Sequence, residues 1–267
     1  MTWEPGQYLK YASERLRPAL DLLARIPLAA PGSVVDLGCG AGNVTRILAE
    51  RWLDARIVGV DNSEAMLAKA REAGADRGNL SFQSADLAAW ADAVAPASID
   101  LVYSNAALHW LDDHATLFPR LMRAVAPGGM LAVQMPSNFH APSHVVLQDV
   151  AGGPRWHAQL GALLRPGPVA PAVRYFEWLS PHARTVDMWT TEYLHVLPPA
   201  SDGEHPVIAW IKGTALTPFL ALLGADAQRA FIRDCAERIA QAYPALPDGR
   251  VVYPFRRVFV AATRENR

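Results

Sequence analysis

Three acids stand at the ends of three strand-like runs: Asp36 after SVV, Asp61 after ARIVGV and Asp86 after LSFQSA. Behind the first come Gly38, Gly40 and Gly42, in the stretch DLGCGAGN. A carboxylate at a strand end can accept paired hydrogen bonds from vicinal hydroxyls, as in dinucleotide folds. Glycines at this spacing let the chain turn tightly and let a ligand approach where a Cβ would obstruct it. The helix that follows begins with free backbone amides, which add donors for a polar group. The chemistry of such a set is the binding of a nucleoside-like ligand. It is not the dinucleotide fingerprint G-x-G-x-x-G, because Asn43 occupies the third glycine position. Each acid taken alone could equally cap a helix, and the glycines alone could form a tight turn.

Alternating elements must carry these residues. Residues 7–25 read as a helix interrupted by Pro18, with Leu16, Leu20 and Leu23 at helical spacing. Strands are predicted over SVVDLG and over 55–61, 80–86, 98–106 and 128–136, with helical segments between them. This rhythm implies right-handed βαβ units and a mostly parallel sheet, whose ligands sit beyond the carboxyl ends of the strands. After Met135 the rhythm breaks. A sixth strand is predicted over 186–197, two or three helical pieces over 204–243, and a last strand over 256–264. The fold class is therefore α/β, mostly parallel with a final antiparallel hairpin and a helical lid insertion. The expected organisation is an N-terminal helix and core over 1–136, a lid carrying the sixth strand over 137–255, and the final core strand over 256–267.

The 267 residues are 51% apolar and 19% charged, enough for a large core, and the formal net charge is −1. The 25 basic residues are scattered, which argues against nucleic acid and for a small-molecule partner. No stretch reaches membrane-span length, and the N-terminus lacks a signal pattern. Cytoplasmic localisation is expected. Cys39 and Cys235 are far apart and outside any CxxC, so neither a metal site nor a disulfide framework is predicted. Composition does not address oligomeric state.

The pattern D-x-G-x-G-x-G with acids ending the next two strands resembles S-adenosylmethionine-dependent methyltransferases of the Rossmann-like class. The resemblance implies S-adenosylmethionine as cofactor, held by Asp36, Gly38, Gly40, Gly42, Asn43, Asp61, Asn62, Asp86, Leu87 and Asn105. In this reading Asp36 orients the glycine loop and approaches the amino-acid end, and Asp61 takes the ribose. Asp86 meets the adenine amino group, the Leu87 amide meets the ring, and Asn105 helps bind the methionyl ammonium, mainly through its backbone carbonyl.

Outside that site, WEPGQYLKYASERLRPALDLLARIP, YSNAALHWLDDH, LAVQMPSN followed by HVVLQDVA, and WIKGTALTPFL resemble the bacterial trans-aconitate 2-methyltransferase family. The resemblance runs from Trp3 to the final strand. It implies methylation of a trans-aconitate carboxylate, giving a monomethyl ester and S-adenosylhomocysteine. A carboxylate with a pKa of about 4 is already ionised at neutral pH, so no general base is needed and catalysis is by positioning. Cations and hydroxyl donors suit the acid, and the candidates are Tyr8, Arg15, His109, Trp110, Asn138, His144, Lys212 and Arg257. Tyr11 is read as packing and His140 as a solvated loop residue. Thr217 stands where the family usually has arginine, and Ala215 replaces a glycine, so a different small carboxylic acid is an alternative; Arg256 is a cation that could compensate. A non-catalytic cofactor-binding regulator and an NAD oxidoreductase are further alternatives.

Overall fold

The computed structural model describes residues 12–164, 166–200 and 203–266, with side chains from Leu16 onward. In chain order the elements are α1 (Ala12–Leu23), β1 (Ser33–Leu37), α2 (Asn43–Arg51), β2 (Arg56–Asp61), α3 (Glu64–Ala73), β3 (Leu80–Ser84), α4 (Leu87–Ala93) and β4 (Ile99–Asn105). A 3-10 turn (Leu108–Trp110) leads to α5 (His114–Ala124), β5 (Val125–Pro136), α6 (Pro142–Gly152), α7 (His157–Leu160) and α8 (Ala172–Leu179). The chain closes with β6 (Ala183–Leu197), α9 (Pro206–Lys212), α10 (Thr217–Ala221), α11 (Ala225–Ala242) and β7 (Val251–Arg264). They fall into two compact units. One comprises Arg15–Pro136, Pro168–Thr191 and from Arg257 on; the other Ser137–Gly167, Glu192–Arg256 and the described residues up to Glu14.

The first unit is built on the sheet, whose strand order is β3-β2-β1-β4-β5-β7-β6. β1 pairs in parallel with β2 and β4, β2 with β3, and β4 with β5, while β5 and β7 are antiparallel. This is the mostly parallel α/β sheet expected from the strand and helix rhythm. Strands covered on both faces read as continuous apolar runs, and Met130–Met135 is such a run, broken only by Gln134. Val35, Leu37, Val60, Phe118, Leu121 and Val133 form the centre of the core.

Helix α1 does not break at Pro18. Ala19, Leu22 and Leu23 are all buried, so packing of that face offsets the backbone hydrogen bond that proline cannot donate. Residues 168–191, expected in the lid, belong to the sheet unit. Buried Tyr175 in α8 explains this: its hydroxyl accepts from Ala170 N (3.1 Å) and donates to His114 Nδ1 (2.7 Å), because the neutral ring gives its Nε2–H to Leu108 O (3.0 Å). The same ring lies 4.6 Å from that of Phe118.

The second unit is mainly helical. Its core gathers Leu147 of α6, Trp156, Trp210 of α9, Phe219 of α10 and Phe231 and Ile239 of α11. In α11 the buried residues Phe231, Cys235 and Ile239 recur every four positions, the stripe of a surface helix. The predicted helical region over 204–243 forms three helices. β7 starts at Val251, five residues before the predicted strand; Pro254 interrupts the strand pattern there and lies outside the register with β5, which begins at Arg257.

Candidate cofactor and substrate site

β1 ends at Leu37 and the chain turns through Gly38, Gly40 and Gly42, all at positive φ. Gly38 N and Cys39 N donate to Val60 O at 2.7 and 3.1 Å, which ties the turn to the end of β2. At Gly38 a Cβ would stand 2.0 Å from Ala107 Cβ, and at Gly42 it would stand 3.0 Å from the Phe82 ring. The absent side chains thus let other parts of the protein close on the loop, as well as shaping its turn. Gly42 caps α2 with no side-chain hydrogen bond to the first amides, the arrangement that leaves donors for a ligand.

The three strand-end acids have different surroundings. Asp36 is buried and accepts a hydrogen bond from Thr45 Oγ1 at 2.7 Å. Burial pushes its carboxyl up to about 7, opposed by the Thr45 bond and assisted by the Asp61 charge. Asp61 is half-buried; its Oδ2 accepts from Gly40 N and its Oδ1 from Ser63 N, both at 2.9 Å. The acid that orients the glycine loop is therefore Asp61. The role expected for Asp36 is filled across the β2 end, because the Asp36 carboxylate is turned to α2. Asp86 is exposed and caps α4, accepting from Ala89 N at 2.9 Å. Asn43 and Asn62 are exposed at the starts of α2 and the turn into α3, and Leu87 is half-buried with Cδ1 3.6 Å from the position of a Gly38 Cβ.

At the end of β4, Asn105 Oδ1 is enclosed and has no hydrogen-bond partner among the described residues. Ala106 follows at φ 53°, its amide donating to Gln134 O at 2.9 Å. The chain then enters the 3-10 turn with His109 and Trp110, whose rings lie 4.8 Å apart; Trp110 is 59% exposed. His109 is lowered to about 3 by burial, then by the Arg257 and His114 charges, so its ring is neutral near pH 7. Arg257, in β7, is buried, and its Nη1 donates to Gln134 Oε1 at 3.4 Å. Sequence reasoning passed over Gln134; the available signal was one amide inside an otherwise apolar strand.

Of the other candidate substrate residues, Tyr8 lies outside the described residues and Arg15 is described by its backbone alone, in α1. Asn138, His144 and Lys212 belong to the helical unit. Asn138 Nδ2 donates to Tyr253 OH (3.2 Å) and its Oδ1 accepts from Arg256 N (3.2 Å), so both ends of the amide are engaged. His144 Nδ1 lies 3.2 Å from Ser143 Oγ, and burial lowers the ring to about 4. Lys212 pairs with Glu204 at 2.5 Å. Thr217 donates to Lys212 O at 3.0 Å, a local turn bond that arginine at this position would not make, and the Arg256 side chain is exposed. No group able to hold a metal ion occurs among the described residues, and none of their helices is long and apolar enough to cross a membrane.

Residues 34–129 match the family model described as a methyltransferase domain. Among solved structures, the chain resembles the YcgJ protein of Bacillus subtilis, at 13% identity and TM-score 0.62, covering 93% of this chain and 99% of that one. It also resembles Haemonchus contortus phosphoethanolamine N-methyltransferase 2 in complex with S-adenosyl-L-methionine, at 19% identity and TM-score 0.54, over 93% of this chain and 52% of that one. Sheet order, glycine turn and strand-end acids together define a Rossmann-like class I methyltransferase fold. A curated relative, the trans-aconitate 2-methyltransferase of Azoarcus sp., is 44% identical over 98% of this chain and 99% of its own length. The chain belongs to the trans-aconitate 2-methyltransferase family.

Proposed function

We propose that the protein transfers the methyl group of S-adenosyl-L-methionine to a carboxylate of trans-aconitate, forming the monomethyl ester and S-adenosyl-L-homocysteine. The observation that carries this reading is the 44% identity to a trans-aconitate 2-methyltransferase over nearly the whole of both chains. The residues present suit the cofactor. Asn105 Oδ1 is an enclosed acceptor without a protein donor, fitting an ammonium group. Asp61, half-buried and already fixing Gly40, keeps acceptor capacity for ribose hydroxyls. Asp86 and the Leu87 amide begin α4 on the same carboxyl side, where an adenine would be held.

When bound, the cofactor supplies a methyl group on a sulfonium. The protein holds the acceptor oxygen in line and excludes water; orientation of this kind can contribute about 7–11 kcal/mol in favourable cases. His109 stays neutral in the working range, so it can hydrogen-bond the acid without neutralising the nucleophile. Asp36 is a carboxyl poised near neutrality, and a cation placed beside it favours its ionised form. The acid partner is a small polycarboxylate, and the buried cysteines Cys39 and Cys235 suit the reducing cytoplasm.

The test is incubation with S-adenosyl-L-methionine and a panel of mono-, di- and tricarboxylates. Base-labile monomethyl trans-aconitate formed in step with S-adenosylhomocysteine is expected. Ester formation on another acid alone would reassign the substrate, and cofactor binding without turnover on any acid would favour a regulator.

A further inference from the structure

Gln134 is fully buried in β5 between Val133 and Met135, which are equally buried. An enclosed amide costs free energy wherever its groups lack partners. Its orientation follows from Arg257: a guanidinium only donates, so the arm facing Nη1 at 3.4 Å is the oxygen Oε1. The other arm, Nε2, has no hydrogen-bond partner among the described residues. Arg257 is the register partner of Pro136, two positions beyond Gln134, so both side chains leave the same face of the sheet. Asn105, the register partner of Gln134 across the parallel ladder, shares that face, and His109 Nδ1 is a further enclosed nitrogen without a partner.

We propose that Gln134 Nε2 and the Arg257 guanidinium form a fork that receives a second, non-reacting carboxylate of the methyl acceptor, making Gln134 a specificity residue that favours polycarboxylates over monocarboxylic acids. Both arms of the fork offer N–H groups, and one carries a positive charge; a carboxylate, with two coplanar acceptor oxygens, is the complement. Gln134 also holds the arginine by accepting from it, so one amide orients the cation and completes the donor set. The inference rests on the carboxyl-methyltransferase reading above and specifies what that site selects.

The test is calorimetric binding of trans-aconitate, tricarballylate, fumarate and crotonate to the protein loaded with S-adenosylhomocysteine, for wild type, Gln134→Leu and Gln134→Glu. Thermal unfolding establishes that each variant is folded; glutamate facing Arg257 provides the second variant should leucine fail to fold. Loss of a hydrogen bond to a charged group predicts roughly tenfold or more weaker binding of trans-aconitate in Gln134→Leu. A larger loss is expected in Gln134→Glu, with crotonate and S-adenosylhomocysteine affinities unchanged in both. Unchanged trans-aconitate affinity in the folded variants overturns the fork. So does an equal fall in S-adenosylhomocysteine affinity, which would give the amide to the amino-acid end of the cofactor. Wild type binding tricarballylate but not trans-aconitate would sink the substrate assignment alone, and the variants are then compared on tricarballylate. Wild type binding no polycarboxylate overturns both.

Discussion

In the helical unit, Tyr253 OH takes a hydrogen bond from Asn138 Nδ2 and meets Ser143 Oγ at 3.0 Å, while Tyr243 OH accepts from Ser143 N at 3.1 Å. In the sheet unit, by contrast, Gln134 Nε2, Asn105 Oδ1 and His109 Nδ1 are enclosed with no partner among the described residues. Both clusters bury polar side chains; the one around Tyr253 bonds its own members to one another, and the one around Gln134 leaves capacity unspent. Buried polar groups that bond one another hold a fold in register, whereas enclosed groups without protein partners mark where a ligand supplies the complement. The contrast moves Asn138 from the acid-binding role expected of it toward a role in folding, and brings Gln134 forward in its place.

The largest effect is expected from Gly38→Ala, which adds a Cβ 2.0 Å from Ala107 at φ 75°. Left-handed strain and overpacking together predict a loss of about 2–5 kcal/mol, read from denaturant unfolding. A loss below half a kcal/mol would show that the loop relaxes freely. Next, Asp61→Ala removes acceptors from Gly40 and Ser63 as well as from a ribose. Calorimetry should show cofactor affinity falling roughly a hundredfold, on the scale of charge-assisted hydrogen bonds. Unchanged affinity would remove the ribose assignment.

Titration separates Asp36 from the two buried histidines. Asp36 is raised from 3.8 to about 7, so between those values the folded protein holds a proton that the unfolded chain has released. Its contribution to stability therefore declines as pH rises through this range. His109 and His144, lowered to about 3 and about 4, act in the opposite sense: their contribution is lost as pH falls below 6.5. Asp36→Asn should abolish the declining part of the stability profile, and should flatten the rise in cofactor affinity expected as pH passes through 7. A profile identical to wild type would place the ionisation elsewhere.

Tyr253→Phe opens the closed network of the helical unit, and a cost of about 1–3 kcal/mol in stability with cofactor affinity unchanged is expected. If affinity fell instead, the contrast between the regions would fail. The smallest effect is expected from Lys212→Met, because its pairing with Glu204 is partly exposed. Stability should change by less than about 1 kcal/mol, with the KM for the acid unaltered. A raised KM would return Lys212 to the substrate site.

Much of the sheet was readable because its determinants are local. Apolar runs closed by Asp36, Asp61 and Asn105 mark the strand ends on which the cofactor reading was built. What escaped depends on distant partners. The tie from Asp61 to Gly40 spans 21 positions and that from Gln134 to Arg257 spans 123, and neither spacing leaves a periodic trace. The start of β7 was hidden by Pro254, which ordinarily argues against a strand. Residues 168–183 carried few periodicities tying them to the core, since their membership turns on Tyr175 meeting His114. Asp36 was correctly placed at a strand end, but which of two acids held the loop could not be read from two identical side chains.

The backbone passes from one unit to the other after Glu14, Pro136, Gly167, Thr191 and Arg256, and the last two passages fall inside β6 and β7. No single cut in the gene therefore yields either unit from one contiguous stretch. Fragments expressed apart would each lack strands or helices encoded elsewhere, and a nascent chain cannot complete the sheet until β7, the last of its strands in the sequence, has left the ribosome.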